Sequence, residues 1–160
     1  MKATERVRAA LADAGLDPSL VQELPADTST AESAARAVGA PQGSIVKSLI
    51  FMANGVPILV LVAGDQRADV RRLRAELGLS KKGLRIAQPA EVLGQTGFAV
   101  GGVPPVGHEE HLRTLIDRSL ARYETVWAAA GSPNAVFPIE YGFLVSITEG
   151  EVLHLTVDEE

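Results

Sequence analysis

Ser44-Ile45-Val46-Lys47-Ser48-Leu49-Ile50-Phe51-Met52-Ala53-Asn54-Gly55-Val56-Pro57-Ile58-Leu59-Val60-Leu61-Val62 is two apolar runs split by an Asn-Gly pair. Asn-Gly accepts the positive φ angles of a tight hairpin turn, so the stretch reads as two antiparallel strands over 44–52 and 56–62. Pro57 cannot donate to a ladder and marks a strand start or an edge. Side chains alternate along a strand, which puts Lys47 on the face of Ile45, Leu49 and Phe51. That face reads as core. An ammonium there either snorkels from an edge strand to water or holds a partner in a dry site.

Helices surround the hairpin. Thr4 is read as the cap of a first helix with Val7, Ala10, Leu11 and Ala14 inward and Gly15 at its end. A short strand follows over 21–24. Ser29 and Glu32 have capping-box spacing for a second helix that stops at Gly39. Asp69 caps a helix with Val70, Leu73 and Leu77 inward, stopped by Gly78. A strand over 84–87 precedes a short helix opened by Pro89. Further strands are read over 98–100, 113–116, 123–127, 135–137 and 152–157. Asp117 caps a single turn, and the last helix covers 140–147. Hairpins interleaved with helices predict a mixed sheet and not a doubly wound parallel one.

The chain has 160 residues, no cysteine and a net charge of −5. The length suits one domain over 1–160 with a proper core. The missing thiols exclude a disulfide framework, a thiolate zinc site and a cysteine nucleophile. No apolar run is long enough for a membrane helix, and the start of the chain lacks a signal-peptide pattern, so no membrane partner and a cytoplasmic location are expected. The acidic balance argues against broad nucleic-acid binding. Residues 67–85 depart from it. Arg67, Arg71, Arg72, Arg74, Lys81, Lys82 and Arg85 face only Asp69 and Glu76, a local surplus of five positive charges. Such a patch suits a short run of phosphates, and equally a solvated helix face.

Two more segments stand out. Gly101-Gly102-Val103-Pro104-Pro105-Val106-Gly107 is stiffened by prolines and opened by glycines, so its few N–H groups can be aimed at a ligand oxygen. It lacks the ending of a P-loop, and a tight structural corner would look the same. Gly131-Ser132-Pro133-Asn134 is a turn whose polar side chains fit either turn chemistry or a ligand. His108 and His111 could share a helical face and hold a metal, but their spacing is not that of zinc proteases.

The 45–51 strand, the loop from Gly97 to Gly107 and the Gly131-Ser132-Pro133 turn together resemble the YbaK/ProX family. These are freestanding aminoacyl-tRNA deacylases related to the editing domain inserted in bacterial prolyl-tRNA synthetases. The resemblance implies an α+β fold, with a mixed, largely antiparallel, barrel-like sheet of six to seven strands flanked by helices around one pocket. It implies a trans-editing activity that hydrolyses the ester of mischarged aminoacyl-tRNA without cofactor or metal. Lys47 matches the family's essential lysine, and Gly101 to Pro105 match its Gly-x-x-x-Pro loop. The implied catalytic set is Lys47, Gly101 and Gly102. Ser48, Val103, Pro104, Pro105, Gly131 and Ser132 are the implied substrate contacts. Arg67, Arg71, Arg72, Arg74, Lys81 and Lys82 would meet acceptor-end phosphates, and a synthetase is a further candidate partner. The competing readings are a noncatalytic module that binds aminoacyl-tRNA or a synthetase, and a metal hydrolase built on the two histidines.

Overall fold

The computed structural model describes residues 2–25 and 28–158. The hairpin forms as β2 (Val46–Ala53) and β3 (Val56–Ala63), antiparallel, with Lys47 opposite Val62. Asn54 and Gly55 both take positive φ, 48° and 82°, as a primed turn requires. Pro57 lies opposite Met52 at the start of β3. The strand itself is central, so the proline marks a start and not an edge.

β4 (Leu84–Ile86), β5 (Thr114–Asp117) and β8 (Glu151–Leu153) complete a five-stranded sheet in the order β4-β2-β3-β5-β8. β5 is parallel to both β3 and β8, and the β2–β3 and β2–β4 pairs are antiparallel. β1 (Gln22–Glu23), β6 (Thr125–Ala129) and β7 (Ala135–Glu140) form a second, antiparallel sheet in the order β1-β7-β6. A parallel bridge, Ile45 to Trp127, joins the two. The α+β class and the mixed, mostly antiparallel pairing hold. The barrel-like closure does not: among the described residues eight strands lie in two open sheets.

The alternation of β2 divides the core. Val46, Ile50 and Met52 belong to the larger cluster, with α1 (Ala3–Asp13) contributing Val7 and Leu11. Phe51 belongs to the smaller cluster, with Leu49 packed against it and Leu73 of α3 (Val70–Leu77) buried in it. Asp69 caps α3 by accepting from the amides of Arg71 and Arg72 at 3.0 and 3.4 Å. The remaining helices are α2 (Ala31–Val38), α4 (Pro89–Thr96) and α5 (Tyr141–Thr148).

Several local expectations shift. Lys2, not Thr4, stands at the N-cap of α1, without a side-chain cap. The capping box of α2 is Thr30 with Ser33, one residue beyond the expected pair, and Glu32 instead pairs with Arg36 one turn on. Residues 98–100 form no strand. Gly97 ends α4 in the left-handed region, and the Thr96 hydroxyl holds both the N–H and the carbonyl of Phe98. Those local bonds occupy the groups a ladder would need. The last strand stops at Leu153 because the chain turns inward. There the buried Asp117 carboxylate accepts from Leu155 N–H at 2.6 Å and also caps the turn at Ser119.

Candidate active site

β2 has β3 along its whole length, but on its other side β4 stands only opposite Phe51–Ala53. At Ile45 the bridge to Trp127 closes that side again. Among the described residues no strand fills the interval between, and a cavity of about 190 Å³ opens there. Val46, Lys47, Ser48 and Leu49 form one wall, and Val100, Gly101 and Pro133 another. Trp127, the start of α2 at Thr30 and Ala31, and Ala135 and Val136 of β7 are among the residues that line the rest.

Lys47 is half-buried, and its Nζ donates to the backbone carbonyl of Gln66 beyond the end of β3. Burial pushes its pKa below the ordinary lysine value, and the nearby Asp65 carboxylate pulls it partly back. An ammonium has three donors, and Gln66 takes one. Ser48 Oγ is fully covered and has no hydrogen-bond partner. Ser48 lines the cavity wall, and its covered hydroxyl is a polar group left unpaired there.

The glycine loop meets this wall through Gly101. Gly102 N–H bonds to Ala99 carbonyl at 3.0 Å, and Gly101 between them has φ 86°. This is the third position of a turn, where positive φ calls for glycine. The amide of Gly102 is therefore spent inside the loop, whereas Gly101 stands exposed on the cavity wall. Gly102 also abuts the turn at Ser132: a Cβ added there would lie 2.8 Å from Ser132 Cα and C. Its carbonyl accepts from Gly131 N–H at 3.0 Å.

The loop and turn singled out in the sequence are thus docked on each other. Other expected contacts sit elsewhere. Val103 is in the core, Pro104 is buried, and Pro105 lines a separate cavity with His108 and Thr148. Ser132 turns its hydroxyl to Asn134 at 3.0 Å, and Pro133 takes the place on the cavity wall. Trp127, Pro133 and the start of α2 are wall residues that the sequence reading missed. Only the fold brings them there, although Trp127 is the chain's one tryptophan.

Of the basic segment, Arg67, Arg71, Lys81 and Lys82 are exposed. Arg72 is tied to Asp158 at 2.6 Å and Asp69 at 3.6 Å. Arg85 grips Glu91 with both terminal guanidinium nitrogens, which holds the pKa of the Glu91 carboxyl down to about 2. α3 covers the sheet face that carries Leu49 and Phe51, the face of Lys47. The two histidines border one cavity but have different partners: His108 Nε2 is 2.7 Å from Pro104 carbonyl, and His111 lies 3.6 Å from Glu149. Among the described residues no three His, Asp or Glu side chains gather as a metal site would need, and no helix is long and apolar enough to cross a membrane.

The sequence model of the aminoacyl-tRNA editing domain matches residues 25–146, and the chain belongs to that family. The protein YwhH of Bacillus subtilis is 36% identical over 120 residues, 74% of each chain. EbsC of Enterococcus faecalis, a candidate Cys-tRNA(Pro)/Cys-tRNA(Cys) deacylase, is 25% identical over 83% of this chain and 80% of its own. The proline–tRNA ligase of Nitratidesulfovibrio vulgaris is 35% identical over 91 residues, which span 57% of this chain but 16% of the ligase. A crystal structure of a candidate trans-editing enzyme for prolyl-tRNA synthetase superposes with a TM-score of 0.91 at 43% identity, covering 99% of both chains.

Proposed function

We propose that this member of the editing-domain family is a trans-editing deacylase that hydrolyses the ester between a small amino acid and the terminal adenosine of tRNA. The observation that carries the reading is the gap beside β2. There a half-buried lysine, an unpartnered serine hydroxyl and the Gly101 turn border one cavity of about 190 Å³. That is below the ~300–1,000 Å³ of pockets for drug-sized ligands, so it suits an acyl group and its ester better than a whole nucleotide.

Ester hydrolysis needs a placed water and donors for the developing oxyanion. In this reading Gly101 N–H serves as the donor at the wall, and removing such a donor typically costs about 2.7–4 kcal/mol of transition-state stabilisation. Gly102 shapes the turn instead of donating. The free N–H bonds of Lys47 hold a ribose or phosphate oxygen of the adenosine and orient the ester. Ser48 Oγ binds the acyl or amino end. Among the described residues on the wall there is no His, Asp or Glu to act as general base. The vicinal ribose hydroxyl of the substrate therefore assists the water. Exposed Arg67, Arg71, Lys81 and Lys82, with Arg74 beside them, carry acceptor-end phosphates, and Arg72 contributes its charge from within its ion pairs.

The test is a deacylation panel of mischarged tRNAs with wild type and Lys47→Ala. Turnover of at least one small aminoacyl ester, lost in the folded variant, is expected. Binding of aminoacyl-tRNA without turnover would replace the enzyme with a binding module. A substrate ending in 2′-deoxyadenosine is expected to react far more slowly, and an unchanged rate would sink the role of the ribose hydroxyl.

A further inference from the structure

The loop that carries Gly101 has little backbone holding it. Residues 98–100 are in no strand, two prolines remove donors, and Gly102 N–H is used within the loop. Its outward backbone tie is Gly102 carbonyl to Gly131 N–H. Side chains supply the rest. Arg6 of α1 lies over the Phe98 ring at 4.5 Å and donates through Nη2 to Gly107 carbonyl at 3.0 Å, so it touches both ends of the loop. His108 meets the middle and the start: its Nε2 is 2.7 Å from Pro104 carbonyl, and its ring stands edge-on to Phe98 at 5.5 Å.

α1 also reaches the opposing turn. Gly131 presses on the helix start so closely that a Cβ there would lie 2.8 Å from Ala3 C and O. Val7 and Leu11, fully buried, anchor the helix. One rigid element thus spans the loop and the turn that together hold Gly101 at the cavity. α1 lies outside residues 25–146, the part matched by the family. Neither Arg6 nor His108 lines the cavity.

We propose that Arg6 and His108 are positioning residues that fix the 97–107 loop from outside the cavity and so set where Gly101 N–H points. The proposal rests on the deacylase reading, because the loop's orientation matters only if its amide serves the reaction. Arg6 does two things that lysine cannot do together, stacking a flat cation on a ring while its Nη2 donates to a carbonyl. His108 acts as a donor to Pro104 carbonyl, which a glutamine amide can imitate and leucine cannot.

The test compares Arg6→Leu, Arg6→Lys, His108→Leu and His108→Gln with wild type. The control is Arg113→Leu, which removes an exposed ion pair with Glu151. Two readouts are used: amide hydrogen exchange of the buried residues Gly102 and Val103 in the free protein, and kcat and KM on the best ester of the panel. Both leucine variants are expected to speed loop exchange at least tenfold and to lower kcat about tenfold with KM within twofold. Arg6→Lys should recover part of this and His108→Gln most of it, while the control matches wild type. Exchange within twofold of wild type in both leucine variants overturns the proposal, as does equal acceleration throughout the protein. A kcat unchanged despite a loosened loop overturns the positioning role. Exchange needs no substrate, so a protein that deacylates nothing refutes the deacylase reading while the brace is still judged by the loop amides.

Discussion

The two walls of the cavity are built on different principles. The β2 wall is one strand of a ladder, paired with β3 from Val46 to Ala53 and sealed by Phe51, Ile50 and Met52 on its two faces. The loop wall has no ladder. A turn closed by Gly102, a close approach to Ser132 and two side chains from outside hold it. A side chain on the first wall is placed by the sheet and can be changed without moving its neighbours. On the second wall the backbone is the functional group, so shape and chemistry fail together.

Lys47 is where that contrast should show most. Lys47→Met keeps the length and removes the charge. It is expected to lower kcat/KM at least about 100-fold, the size of losing one transition-state contact. Stability should stay within about 1 kcal/mol, because losing the bond to Gln66 carbonyl is offset by no longer desolvating an ammonium. Denaturant titration beside the kinetics checks both. A large loss of stability would place the lysine in the structure of the wall and not in its chemistry.

Gly102→Ala is the matching probe of the loop wall. Its Cβ would sit 2.8 Å from Ser132 backbone, so the loop or the turn must shift. Overpacking of this kind costs typically about 1–3 kcal/mol. Activity should fall with it, about tenfold or more, since Gly101 moves as well. Retained stability and activity would mean that the two segments part easily, and the contrast between walls would collapse.

The same contrast explains what was legible in the sequence. The hairpin was readable because Asn54-Gly55 and the apolar alternation are local signals, and Asp69 and Gly78 bounded α3 for the same reason. From the residues alone Lys47 and Gly101 were readable only as odd residues, a cation in an apolar run and a glycine beside prolines, and the family resemblance was what grouped them. Their meeting depends on β2 lacking a neighbour between Trp127 and β4, a fact of topology that no window of sequence contains. The 98–100 strand failed because an apolar triplet looks like a strand until Thr96 takes its backbone groups. The α2 cap slipped by one residue because Ser29, Thr30 and Ser33 offer equivalent hydroxyls within one turn.

The basic segment belongs to neither wall and should affect binding alone. Arg71 and Lys81 are exposed, whereas Arg72 is bound to Asp158 and Asp69. Arg71→Glu with Lys81→Glu is expected to raise KM for tRNA several-fold at low salt with kcat unchanged. The slope of log affinity against log salt should shrink by about 0.7–0.9 per lost phosphate contact. Arg72→Glu should also cost stability, because it leaves two carboxylates facing a third. An unchanged salt slope in the double variant would remove this surface from the tRNA path.

The smallest expected effect tests how tightly the loop wall is closed. The neutral ring of His108 is favoured: burial lowers its pKa first, the bond to Pro104 carbonyl opposes this, and Arg6 and His111 add to the lowering. Its Nδ1 is covered and has no partner, so protonation there puts a charge where nothing receives it. With the folded pKa below the ordinary value of about 6.5, the unfolded chain binds the proton first as pH falls. Stability is therefore expected to decline on acidification below that value, by at most about 1.4 kcal/mol per pH unit from this group. His108→Gln keeps a donor for Pro104 and cannot titrate, so its stability should fall less steeply between pH 7 and 5. Coincident slopes for the two proteins would show that Nδ1 takes its proton freely, and that the loop wall opens far more readily than the strand wall beside it.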